Sequence, residues 1–280
     1  MRLGTASPIE RFLSLILAFA FFLSAVTPQI QARQEPSKLD YRLNQTFMLG
    51  FGEDAGEVFT APGKWKGENW WRFAAVLGTG AVLYACDQKI HDWSQDRRTP
   101  ASVDGARFGS FLGGGAFLGG LIASLYLSGE IYGDQNLRKT ALLSLESWAI
   151  AGALVLGLKA IGGRARPYTN LGSRCFRPFS FRAEHVSFPS GHAASAFAVA
   201  TVIADQTENV LVDVLAYSLS TLAAAARVHE NKHWASDSFI GAVIGYVVGK
   251  KICSLHRKRS IRTEMCLSRA AAGVSITFCF

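Results

Sequence analysis

Residues 189–204 read PSGHAASAFAVATVIA, and the fold turns on how that stretch is taken. Pro189, Ser190 and Gly191 are turn and cap residues, whereas Ala193 to Ala204 is an unbroken apolar run apart from Ser195 and Thr201. Ser190 is a favoured helix N-cap, and Gly191 lets a ligand approach the backbone closely. A helix starting here presents free N–H groups and the positive end of its dipole to an anion, with His192 in its first turn. Alone, a Ser-Gly-His triplet is an ordinary cap, so its neighbours decide its use.

Outward from that run, apolar patterning predicts six helices, at about 72–86, 106–128, 139–159, 192–205, 209–226 and 237–253. The chain of 280 residues is 49% apolar and 18% charged, and several of its 27 glycines sit inside the apolar runs. That bias predicts an all-α, membrane-embedded bundle of five to six helices with a site at one end. Several runs are shorter than the roughly 20 residues a bilayer crossing takes, which leaves some of them in the interface or inside the bundle.

The expected organisation has four parts. Residues 1–32 form a signal peptide or anchor, with Arg2 and Arg11 before the apolar run Phe12 to Val26 and a cleavage point near Ile30-Gln31-Ala32. Residues 33–71 form a polar segment ending in the interfacial trio Trp70-Trp71-Arg72. The helical domain covers 72–255, and 256–280 is a basic tail with a short C-terminal segment. The net charge of +8 is concentrated after the last apolar run, at Lys250, Lys251, Arg257, Lys258, Arg259 and Arg262, as in a cytoplasmic membrane anchor. No aromatic-basic module accompanies it, so nucleic acid is not an expected partner. The five cysteines, Cys86, Cys175, Cys253, Cys266 and Cys279, contain no CxxC pair and are odd in number, which points to neither a zinc site nor a closed disulfide framework.

Two further clusters flank the Ser-Gly-His cap. Lys159 ends the third apolar helix, and Pro167 stops any helix from running past Arg166, so two cations stand at a helix mouth. Downstream, Arg227, His233 and Asp237 follow the fifth helix. His233 and Asp237, four residues apart, can face one another on a helical turn. A carboxylate on one imidazole nitrogen fixes the tautomer and makes the other nucleophilic, and Arg227 suits bidentate contact with phosphate oxygens. Helices three to six alternate in direction, so both loops lie on one side of the bundle. The loop Gly162 to Pro189 is rich in Arg and Phe; it reads either as a solvated connector or as the entry surface for an anionic, partly apolar substrate.

Taken together, Lys-x6-Arg-Pro at 159–167, Pro-Ser-Gly-His at 189–192 and Arg-x5-His-x3-Asp at 227–237 resemble the three ordered motifs of the type 2 phosphatidic acid phosphatase and vanadium haloperoxidase superfamily. Ala226 departs from that pattern, standing where the family usually has Ser. The lost hydroxyl contact is worth about 1 kcal/mol of phosphate binding. The resemblance implies that His233 attacks phosphorus to form a phosphohistidine and that Asp237 orients it. His192 protonates the leaving oxygen and then activates water, while Lys159, Arg166, Ser190, Gly191 and Arg227 hold the phosphoryl oxygens. Three protein cations supply the neutralisation, so no metal or cofactor is expected. The expected substrate is a phosphate monoester or diphosphate of a lipid or isoprenoid, with membrane lipids around the protein. A lipid phosphotransferase or a vanadium-dependent haloperoxidase are the alternatives. His185 and His229 are out of register, Arg164 ranks behind Arg166 because only the latter precedes Pro, and Glu146, a charge within an apolar helix, has no assigned role.

The basic tail and Arg138-Lys139 belong on the cytoplasmic side, which faces the site outward from a bacterial inner membrane. An exported residue 33 followed by six spans would turn it inward. The conflict is resolved if 72–86, the run holding Gly78 and Gly80, does not cross.

Overall fold

The computed structural model describes residues 41–207 and 209–271. The expected signal segment 1–32, and the C-terminal stretch from 272 onward, lie outside the described residues. Within them there are eight α-helices and no strand: α1 Gln45–Phe59, α2 Gly67–Asp96, α3 Pro100–Leu112, α4 Gly115–Ile131, α5 Gln135–Gly162, α6 Gly191–Thr207, α7 Val210–His229 and α8 Ala235–Ala271. Helix starts follow their caps. Asp134 Oδ1 accepts from the amides of Asn136 and Leu137 at 2.8 and 3.1 Å, Asn209 Oδ1 accepts from Leu211 at 2.9 Å, and Thr99 and Ser102 form a capping box ahead of α3.

The apolar run from Ala193 to Ala204 lies in α6, the central helix. Its Ala193, Ala194, Ala198, Val199, Val202 and Ile203 are all buried. Small residues let α8 come very close. A Cβ added at Gly241 would stand 2.3 Å from the Ser190 carbonyl oxygen, one at Gly245 2.2 Å from that of Ala194, and one at Gly249 2.8 Å from Thr201 Cβ. Close backbone approach through small residues at every fourth position is how membrane helices gain packing contact. Here it fixes the start of α6 against the start of α8.

Three helices are long and apolar enough to cross a membrane: α5, α7 and α8 over Ala235–Arg262. The pair α3 and α4, bent by 48°, makes a fourth if counted as one span. That bend divides the expected helix at 106–128. Gly113 lies at the break, and a Cβ there would stand 3.1 Å from both Ala223 Cβ and the His192 carbonyl oxygen. The expected helix at 72–86 is the middle of α2, which is not among the apolar spans.

Helix α2 runs through the expected boundary at 71/72 and α8 through that at 255/256, while α1 lies within the segment read only as polar. Charge pairing explains why apolar periodicity did not reveal α1. Its Asp54, fully buried, is gripped by Arg259 of α8 at 2.6 and 2.7 Å. His256 Nε2 lies 3.3 Å from Asp54 and donates to Glu146 Oε2 at 3.0 Å, so the carboxylate inside α5 is an ion-pair partner. Glu146 is thirteen residues before Lys159, about 20 Å along the helix.

Candidate active site

The first cluster is set by a turn only glycine can make. Helix α5 ends at Gly163 with φ +55, and a Cβ there would fall 1.8 Å from the Arg177 carbonyl oxygen. Lys159, in the last turn before it, donates from Nζ to the Val186 carbonyl. Arg166 is fixed by its backbone, whose amide donates to the Glu184 carbonyl at 2.8 Å. Its guanidinium Nε is buried without a hydrogen-bond partner, as befits a group awaiting an anion.

Ser190 is fully buried. Its amide donates to the Asp237 carbonyl at 3.0 Å, which locks the starts of α6 and α8 together. A Cβ built on Gly191 would meet only Val155 Cγ1, at 3.8 Å. Space is therefore left beside the helix N-terminus, where amides point outward. The His192 imidazole is half-buried, with no hydrogen-bond partner among the described residues. Its pKa is lowered to about 4, first by burial and then by Arg227, Arg166 and Lys159.

Arg227 lies in the last turn of α7. Its Nη1 donates to Glu230 Oε2 at 2.7 Å and to Ser110 Oγ at 3.1 Å, and its Nε is buried without a partner. His233 is buried in the turn before α8. Its pKa is pushed well down by burial and then by Lys159, Arg166 and Arg227, against the opposing effect of its bond to Ser187. The same three cations thus act on both imidazoles, which places all five side chains within electrostatic reach of one another.

One expected contact is replaced. His233 and Asp237 do not bond to one another; instead His233 Nδ1 lies 2.6 Å from the Ser187 carbonyl oxygen. A carbonyl only accepts, so Nδ1 carries the proton and Nε2 keeps its lone pair. Asp237 acts at one remove: its Oδ2 accepts from the Ser187 hydroxyl and, at 3.0 Å, from the Trp234 amide. The four-residue spacing fails because His233 precedes the helix; Asp237, at its third position, turns back to the N-cap amide.

Arg164, placed behind Arg166 in the sequence reading, is only 1% exposed. It donates to Asp237 Oδ1 at 2.6 Å, to Asp87 Oδ2 of α2 at 2.8 Å, to Ser236 Oγ at 2.8 Å and to the Ser173 carbonyl at 2.7 Å. The rings of Tyr84, Trp234 and Phe176 surround it at 4.9, 5.4 and 5.7 Å. Asp87, Ser187, Ser110 and Glu230 are further site neighbours that no motif marks. His229 holds Ser94 and Ser102 at 3.2 and 3.0 Å, tying α7 to α2 and α3, and His185 is buried away from any partner at Nδ1. Ala226 is buried with its methyl turned to Gly109 of α3, where a Cβ would come within 2.9 Å.

Between α2 and α8, a cavity of about 280 Å³ is lined by Leu77, Tyr84, Phe176, Phe188 and Ile240, with Arg164 at its polar edge. Phe179 and Phe181 of the neighbouring loop are exposed at 72% and 81%, so apolar surface flanks the cationic pocket.

The family model of the PAP2 superfamily matches residues 140–261, a stretch that contains every site residue expected from the sequence. A lipid A 1-phosphatase of Porphyromonas gingivalis is 35% identical over 100 residues, covering 34% of this chain and 21% of that protein. The match thus spans about a fifth of the relative's length. Two solved structures share the fold. A transmembrane PAP2-type phosphatidylglycerolphosphate phosphatase from Bacillus subtilis has a TM-score of 0.54 at 22% identity, over 66% of this chain and 96% of its own. LpxE of Aquifex aeolicus has a TM-score of 0.50 at 22% identity, over 60% and 94%. Through α5 to α8, with the three motifs in order at one end of the bundle, this chain is similar to the PAP2 superfamily over residues 140–261.

Proposed function

We propose that the protein is a metal-independent phosphatase that removes phosphate from a phosphorylated membrane lipid through a phosphohistidine on His233. The observation that carries this reading is the gathering of Lys159, Arg166 and Arg227 around two imidazoles, one of which keeps its Nε2 lone pair. A phosphoryl group lodged among the three cations and the amides at the start of α6 meets that nitrogen. The Nε2–P bond forms as the P–O bond to the lipid breaks, and His192 gives its proton to the departing oxygen. His192 then takes a proton from water as the water oxygen attacks phosphorus, the N–P bond breaks, and inorganic phosphate leaves with His233 restored.

His192 is neutral in the empty pocket because burial and the same three cations oppose its protonation. A phosphate dianion neutralises those cations, and His192 takes up the proton it donates. The lipid character of the substrate rests on the membrane-crossing helices, on the cavity beside Arg164 and on the similarity to lipid A and phosphatidylglycerolphosphate phosphatases. The site faces the exterior of a bacterial inner membrane. Asp237 and the basic residue Arg257 are twenty residues apart on α8, about 30 Å, which is the thickness of the hydrocarbon core. The basic end belongs in the cytoplasm.

Phosphate release by the purified protein from phosphatidate, phosphatidylglycerol phosphate, an isoprenoid diphosphate and lipid A, with chelator present, tests the reading. Activity on at least one lipid that survives chelation and disappears in His233→Ala is expected. Activity that needs added metal, or persists in His233→Ala, overturns it.

A further inference from the structure

The carboxylate nearest the His233 segment does not act alone. Asp237 meets Arg164 at 2.6 Å in a space that excludes water, since both residues are essentially unexposed. Taken by themselves the two would cancel, leaving no net charge on that side to stabilise a cationic His233. Forming the N–P bond places a positive charge on the imidazole ring, because Nδ1 keeps its proton against the Ser187 carbonyl. With Lys159, Arg166 and Arg227 already matched by the phosphoryl oxygens, a neutral ion pair offers that ring charge no stabilisation.

Asp87 of α2 changes the balance. It too is fully buried. Its Oδ2 accepts from Arg164 Nη2 at 2.8 Å and from the Ser236 hydroxyl, and its Oδ1 accepts from the Ser236 amide at 2.9 Å. Asp237 likewise meets only donors: Arg164, Ser187 and the Trp234 amide. Two carboxylates each surrounded by donors, sharing one guanidinium, carry one net negative charge. We infer that Asp87 is a positioning residue for the His233 reaction: by engaging the other arm of the Arg164 fork, it leaves the buried triad Asp87–Arg164–Asp237 with a net negative charge behind the imidazole. The triad also sets the geometry. The Arg164 carbonyl accepts from the Ser187 amide at 3.0 Å, so Arg164 and Asp237 together hold the residue whose carbonyl orients His233. Asp87 lies outside 140–261, and it ties α2 to the catalytic end of the bundle.

This inference rests on His233 being the nucleophile, and three variants of the full-length protein separate the two claims. Asp87→Asn keeps the shape and the acceptor for the Ser236 amide but removes the charge. It is expected to lower kcat roughly tenfold or more with KM unchanged, and to move the acid limb of the pH profile to lower pH. The groups acting on that limb are Lys159 of α5, Arg166 and Arg164 of the loop, His192 of α6, Arg227 of α7 and Asp237 of α8. The double variant Asp87→Asn with Arg164→Gln restores the net negative charge and is expected to recover most of the lost kcat and return the limb. Arg164→Gln alone moves the limb to higher pH, and this holds as a test even where Asp87→Asn does not fold. A kcat and limb unchanged in Asp87→Asn, or a double variant no better than Asp87→Asn, overturns the inference. Residual turnover in His233→Ala overturns the underlying reading instead.

Discussion

At the residue scale, the proposed chemistry turns on the protonation of two imidazoles, and both have their pKa values lowered. Burial comes first for His233, followed by Lys159, Arg166 and Arg227. A base whose proton affinity is lowered stays unprotonated further into acid, so the acid limb of kcat/KM is expected below pH 6.5, the ordinary imidazole value. A pH profile whose limb falls at or above 6.5 contradicts this. In the proposed mechanism His192 serves twice, as acid and then as base. Replacing it by Asn is expected to lower turnover of a lipid phosphate by about 10²- to 10⁴-fold. An aryl phosphate whose leaving group needs no proton should still transfer its phosphoryl group to His192→Asn and show a burst followed by slow hydrolysis; a burst-free time course counts against the assignment. Most of these residues were legible from their spacing, because cations, cap and histidine recur around helix ends. Arg164, Asp87 and Ser187 were not, since the following Pro marks only Arg166, the burial of Arg164 shows only in the fold, and Asp87 is brought in from 77 residues away.

At the scale of elements, the site is held by the seam between α6 and α8. Gly241, Gly245 and Gly249 let the two backbones touch, and the same closeness allows the Ser190 amide to reach the Asp237 carbonyl. Gly245→Val is therefore expected to cost about 1–3 kcal/mol of stability and to lower kcat as well, by moving Ser190 relative to Asp237. Thermal unfolding and lipid phosphatase assays on the same preparation check it; a stable, fully active Gly245→Val would mean the seam is looser than described. Apolar periodicity located the core helices well, because burial against neighbours imposes it. It could not show the bend between α3 and α4, or α1, whose buried Asp54 is paired with Arg259.

For the whole molecule, one end of the bundle is cationic and holds His233, while the other carries the basic turns of α8. The exposed Phe179 beside the site should therefore lie outside. A Phe179→Cys variant is expected to react with a membrane-impermeant thiol reagent in intact spheroplasts, whereas labelling only after lysis would place the site in the cytoplasm. The proposed orientation rests on the basic tail, whereas the place of α2 required the fold: its Asp87 is buried beside Arg164, so its contact there does not depend on crossing the membrane. Every step proposed passes through a phosphorylated His233. Rapid acid-free quenching of the enzyme with a lipid phosphate labelled in its phosphoryl group examines that intermediate directly. One equivalent of alkali-stable, acid-labile label is expected on the peptide containing His233, absent in His233→Ala; label that never joins the protein during turnover, or joins it at another residue, would rule out His233 as the nucleophile.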